Sequence, residues 1–163
     1  MNGFSGESSK VTLVRLHTHK ERCYPRLEAG EPYSVTSKAT WEYNCIAFAA
    51  GVEDEYWWPD PDGDARWPEG VRREATLDAF VKLFLSLGYE LYESWETEEG
   101  FEKVALYMNA GEPTHAAIEQ PNGRWKSKLG AWEDIEHENP HSIETVGGIG
   151  NYGLAHTFLK RKR

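Results

Sequence analysis

The Asn122-Gly123 pair sits between two strand-length runs, residues 114–119 and 124–129, and limits the folds open to this 163-residue chain more than any other short stretch. Asn and Gly tolerate the backbone conformations a tight reversal needs, so the pair predicts an antiparallel hairpin. A second turn signal, Asn109-Ala110-Gly111-Glu112-Pro113, separates residues 114–119 from the mainly apolar run 101–108. The three runs together predict a meander of antiparallel strands. Small Ala116 and Ala117 in its middle strand leave room for a helix to pack closely.

Two helices are expected to cover that sheet. Leu77, Phe80, Val81, Phe84 and Leu85 recur at i, i+3, i+4, i+7 and i+8, one apolar helical face, and Gly88 ends it. A shorter helix opens at Cys45, with Asn44 as N-cap, a small-residue apolar run to Ala50, and Gly51 as the stop. The fold class expected is α+β, with a core of Ile46, Phe48, Ala49, Leu77, Phe80, Val81, Phe84, Val104, Leu106, Ala117 and Ile118. Residues 131–138 read as a short helix, 152–160 as a closing strand after the glycine-rich turn at 147–150, and 11–16 as a weak strand. Residues 23–38, broken by Pro25, Gly30 and Pro32, read as irregular chain.

Hydrophobic content of 39% with seven Trp suffices for a packed core, so residues 11–163 are expected to form a single domain after a disordered Gly/Ser-rich segment, 1–10. The net charge of -9 argues against nucleic acid as a partner, because phosphate neutralisation needs a basic face. The basic run 160–163 reads as a solubilising tail. No apolar run reaches membrane-spanning length, and two cysteines do not make a disulfide scaffold, so a cytoplasmic protein with reduced thiols is expected.

Cys45 carries the chemistry. A thiol at a helix start is favoured as the nucleophilic thiolate by the unpaired N–H groups there. His115, opening a strand, supplies a base. Asn44, beside the nucleophile, suits an oxyanion donor as well as a cap. Each residue also has a plainer interpretation: Cys45 as a small buried hydrophobe, His115 as a core-edge histidine bonded to a carbonyl. No metal or cofactor is expected. His17 and His19 lack further ligands at suitable spacing, and the Asp60, Asp62, Asp64 series has Val71 where a calcium loop needs its bidentate Glu. The acidic, proline-punctuated loop 53–70 carries Trp57, Trp58 and Trp67, which read either as walls of a substrate groove or as plugs over a small core.

A helix-start Cys followed by a sheet whose strand opens with His resembles papain-like cysteine hydrolases, and residues 115–130 resemble the His-centred hairpin of NlpC-type peptidases. That resemblance implies a third catalytic residue on the return strand at Ser127, where family members carry His, Asn or Gln, with Asp134, Glu136 and His137 as alternatives. The stretches Asn-Cys-Ile-Ala-Phe-Ala-Ala-Gly, Trp-Trp-Pro-Asp, Gly-Phe-Glu-Lys-Val-Ala, Pro-Thr-His-Ala-Ala and Ser-Lys-Leu-Gly also resemble an uncharacterised bacterial domain family. The expectation is a cysteine hydrolase or acyl transferase acting on an amide or ester bond of a peptide or protein. The rival is an inert papain-like domain that binds a peptide or protein partner through the Trp57, Trp58 and Trp67 loop.

Overall fold

A computed structural model describes residues 22–145 and 151–163. The sequence expectations for residues 1–10, the strand at 11–16, His17 and His19, and the glycine turn at 147–150 lie outside the described residues.

In chain order the elements are α1 (Pro25–Glu28), β1 (Tyr33–Val35), α2 (Cys45–Ala49), α3 (Leu77–Ser86), β2 (Glu90–Tyr92), β3 (Phe101–Asn109), β4 (Glu112–Glu119), β5 (Trp125–Lys128), β6 (Asp134–His137), a 3-10 turn (Pro140–Ile143) and β7 (Leu154–Lys162). The strands form one antiparallel sheet in the order β1-β6-β5-β4-β3-β7-β2. The architecture is α+β, as the sequence implies.

The expected meander is β3-β4-β5. Its first turn places Ala110 and Gly111 both at positive φ, 53° and 82°, the tight hairpin geometry whose twist matches paired strands. Its second turn departs from a two-residue form. Pro121 fixes a negative φ, Gly123 N–H donates to Gln120 O at 2.9 Å, and Gly123 alone takes positive φ.

Pleating sends alternate residues to opposite faces, and each face is buried. Val104, Leu106, Ala116 and Leu159 pack with Ile46, Ala49, Phe80 and Phe84 from α2 and α3. Ala105, Tyr107, Ala117, Trp125 and Ile135 pack on the other side with Tyr24, Leu27 and Ile143. Among the expected core residues, Phe48, Leu77, Val81 and Ile118 are partly buried against the first cluster.

Four expectations are corrected. Residues 131–138 do not form a helix: Gly130 at φ 62° and the Trp132 N–H to Leu129 O bond make a turn, after which β6 pairs with β5 from Lys128↔Asp134 to Trp125↔His137. Residues 23–38 contain α1 and β1, whose Tyr33 pairs with His137. Residues 90–92, assigned no element from the sequence, are an edge strand on β7. The basic run 160–163 is no loose tail: Lys160 is buried, donating to both Glu98 carboxylate oxygens and lying 3.7 Å over the Tyr92 ring, and Arg161 bonds Glu102 and Leu87 O.

Candidate functional site

The site begins where β4 and β5 part. Their pairing covers Ile118↔Lys126 and Glu119↔Trp125 and stops short of His115. Helix α2 packs against both strands there. Asn44 caps α2 by accepting from Ala47 N–H at 3.2 Å, and Cys45 is its first residue. The Cys45 thiol meets the backbone N–H of Ala116, the residue after His115.

That placement does not make a resting thiolate. Burial pushes the Cys45 thiol up to about 11, outweighing the N–H groups of Ala116, Ile46 and Cys45 and the nearby Lys128 charge, all of which act downward. A helix of five residues has too few aligned peptide units to reverse that cost. Cys45 is therefore a protonated thiol at neutral pH, a correction to the thiolate expected from its helix-start position. Cys23, by contrast, is exposed.

His115 is buried, and neither ring nitrogen has a hydrogen-bond partner among the described residues. Its ring stacks on Tyr152 with centroids 4.0 Å apart and planes at 14°, and meets the edge of Tyr107 at 5.1 Å. Burial, with the charge of His137 adding to it, holds His115 well below the ordinary imidazole range, so it is neutral. The structure thus brings Cys45 to the backbone beside His115 without an Sγ-to-imidazole hydrogen bond. His115 shares the sheet face of its cross-strand partner Tyr107, while Ala116 shares the face of α2.

The orienting residues implied by the resemblance are not beside His115. Ser127 Oγ bonds His137 Nε2 at 2.8 Å, and His137 Nδ1 donates to Asn139 O at 2.9 Å, a chain that ends on the Asn139 carbonyl. Burial lowers His137 to about 4. Asp134 accepts from Tyr43 OH at 2.6 Å and donates its N–H to Ser37 Oγ at 2.9 Å. Glu136 pairs with Arg124 and accepts from Asn122. Neither Ser127 nor Asp134 holds the imidazole; Tyr152 and Tyr107 do, through their rings.

Asn44 is likewise committed elsewhere. Its amide donates to Trp57 O at 2.7 Å, and its oxygen accepts from Trp57 N–H at 3.0 Å as well as from Ala47. Its amide is therefore not free for the oxyanion role expected of it. These bonds draw the loop after α2 back onto the helix start, the return that a nucleophile-covering loop would need. The indoles then turn inward: Trp57 and Trp67 lie in the core, with Trp57 Nε1 bonded to Glu55 and Trp67 Nε1 to Arg72 O. Trp58 is partly buried edge-on to Phe80. Of the two expected roles, groove wall or core plug, Trp57 and Trp67 take the plug.

Residues with no sequence signal of their own complete the surroundings. Lys128, fully buried, donates to Thr40 O at 3.0 Å and to Trp132 O, and lies 5.0 Å over the Tyr43 ring. Tyr24 and Tyr152 lie close enough to Cys45 for a charge on its sulfur to raise them both. The same two tyrosines wall a cavity of about 340 Å³ with Cys23, Trp41, Leu129 and Trp132. Among the described residues no group of three or more His, Cys, Asp or Glu side chains is arranged to hold a metal ion, and no helix is long and apolar enough to cross a membrane. Asp60 instead caps its own turn, accepting from the N–H groups of Gly63, Asp64 and Ala65.

Comparison with known proteins gives one family. The chain belongs to the family described as Domain of unknown function (DUF7689), whose sequence profile matches residues 34–160. No curated protein and no solved structure matches it.

Proposed function

We propose that this member of the DUF7689 family is a papain-like cysteine hydrolase or acyl transferase acting on an amide or ester bond in a peptide or protein. The observation that carries the reading is the thiol of Cys45, at the start of a capped helix, against the N–H of the residue next to His115. The thiol and two backbone donors meet at the end of β4, next in sequence to an imidazole that is neutral and has no hydrogen-bond partner among the described residues.

His115 leaves its stack on Tyr152 and takes the thiol proton as Cys45 sulfur attacks the carbonyl carbon. The tetrahedral oxyanion is held by the backbone N–H groups of Cys45 and Ala116. The imidazolium returns the proton to the departing amine or alcohol, leaving a thioester. Water, or an acceptor nucleophile in a transferase, gives its proton to His115, attacks the thioester and frees the thiol. A reducing, cytoplasmic setting suits a mechanism that needs a free thiol.

The inert alternative is favoured by one observation: burial keeps both thiol and imidazole uncharged at rest. Incubation with p-nitrophenyl acetate followed by peptide mapping separates the two. The enzyme reading expects an acetyl group on Cys45 that turns over, is absent in Cys45→Ala and forms far more slowly in His115→Ala. Acetylation of Cys23 alone, with Cys45 untouched from neutral to alkaline pH, removes it.

A further inference from the structure

We infer that the 340 Å³ cavity walled by Tyr24 and Tyr152, the two tyrosines within electrostatic reach of Cys45, is a recognition pocket for an uncharged aromatic or bulky apolar group of the substrate. The inference rests on the Cys45 reading for what the group is attached to, and on the cavity alone for its chemistry.

Three observations converge. The volume lies within the range of small-ligand sites, roughly 300–1,000 Å³. Among the described residues the lining contains no Asp, Glu, Lys, Arg or His side chain, although the chain carries 27 acidic and 18 basic residues, so none of these side chains compensates a buried ligand charge. Aromatic rings supply much of the wall: Tyr24, Trp41, Trp132 and Tyr152. Trp41 at the rim is 79% exposed, a large apolar surface left to water on a chain that buries Trp57, Trp67 and Trp125.

The wall is also fixed in place. The turn carrying Leu129, Gly130, Ala131 and Trp132 is closed by the Trp132 N–H to Leu129 O bond at 2.9 Å. Lys128 fastens Trp132 O and Thr40 O through one ammonium, tying the β5-β6 turn to the segment that bears Trp41. On the inner side, Tyr152 is at once a cavity wall and the face on which His115 stacks. A group filling the cavity therefore presses on the ring that holds the proposed base away from the thiol. Occupancy and base release are linked through Tyr152.

The test uses the full chain and two small probes, N-acetyl-phenylalaninamide and the charged N-acetyl-aspartic acid amide, with tryptophan indole N–H signals followed by NMR. The phenylalanine probe is expected to shift the Trp41 and Trp132 signals saturably, equally in wild type and Cys45→Ala, and the aspartic acid probe is not. Ala131→Trp, which fills the pocket, is expected to abolish the shifts, and Trp41→Ala, at an exposed rim position that folding does not need, to weaken binding about tenfold. Equal binding of both probes, or full binding in Trp41→Ala with shifts elsewhere, overturns the assignment. Phenylalanine-selective binding with no acylation of Cys45 by p-nitrophenyl acetate supports the pocket while removing the hydrolase. Acylation of Cys45 without preference between phenylalanyl and aspartyl esters does the reverse.

Discussion

At the scale of single residues, burial decides the chemistry of Cys45 and the histidines. With the thiol pushed up to about 11, the thiolate fraction at neutral pH is small, and only the thiolate is alkylated. Iodoacetamide at pH 7 is therefore expected to label exposed Cys23 first, with the Cys45 rate rising about tenfold per pH unit towards 11, measured by peptide mass spectrometry. Preferential labelling of Cys45 at pH 6 would contradict this account of its environment. His137 gives a second measurement. Its folded value, about 4, lies below the ordinary 6.5, so between them the unfolded chain binds the extra proton. The stability it contributes is complete above pH 6.5 and is lost as pH falls towards 4, by about 1.4 kcal/mol per pH unit within that window. His115, shifted the same way, steepens the slope. Denaturant titrations should show His137→Gln less steep than wild type; identical slopes would mean that His137 is charged in the fold. The sequence pointed to Cys45 and His115 as a pair, because residue type and helix or strand position are local facts. It did not show that Ser127 bonds His137 rather than His115, because sheet order and side-chain direction decide that.

At the scale of elements, caps and turns were legible and short paired segments were not. Asn44, Gly51 and Gly88 bound two helices through chemistry confined to a few residues, while the Thr76 cap of the longer helix is a finding of the structure. Strands β1, β2 and β6, of three or four residues, exist through the neighbours they pair with, β6, β7 and β5 respectively, and no local pattern announces that. Asn44 joins an element boundary to tertiary structure. Thr76→Ala removes the cap bond from Ala79 N–H and an exposed bond to Glu74, and should cost about 1 kcal/mol. Asn44→Ala removes a cap and two bonds to Trp57, leaving buried backbone groups unpaired, and should cost about 2–4 kcal/mol. Urea unfolding midpoints of the two variants test the difference. Equal losses would show that the loop after α2 is not anchored by Asn44.

At the scale of the whole molecule, the last strand closes the fold. β7 lies between β3 and β2, pairing with β3 from Phe101↔Lys162 to Met108↔Leu154 and with β2 on its other side. It carries Leu159 into the core and holds Lys160 among Glu98, Tyr92 and Phe101. Arg161 reaches across to Leu87 O at the end of α3 and to Glu102, so one side chain fastens helix to sheet. A sequence view sees a basic C-terminal run; the fold pairs Lys160, Arg161 and Arg163 with acidic residues 59–62 positions earlier in the chain, and Arg161 also with the Leu87 carbonyl. Removing residues 154–163 would expose the β3 edge and the apolar face beneath it, both of which need a partner to stay out of water. The truncated chain is expected to lose cooperative unfolding and dispersed NMR signals altogether. Arg161→Ala, which leaves the strand pairing intact, should retain the fold while losing about 1–3 kcal/mol with its charge-assisted bonds. A truncated chain that still unfolds cooperatively would show that β3, β4 and β5 with their two helices form a self-sufficient unit, and would remove β7 from the folding core.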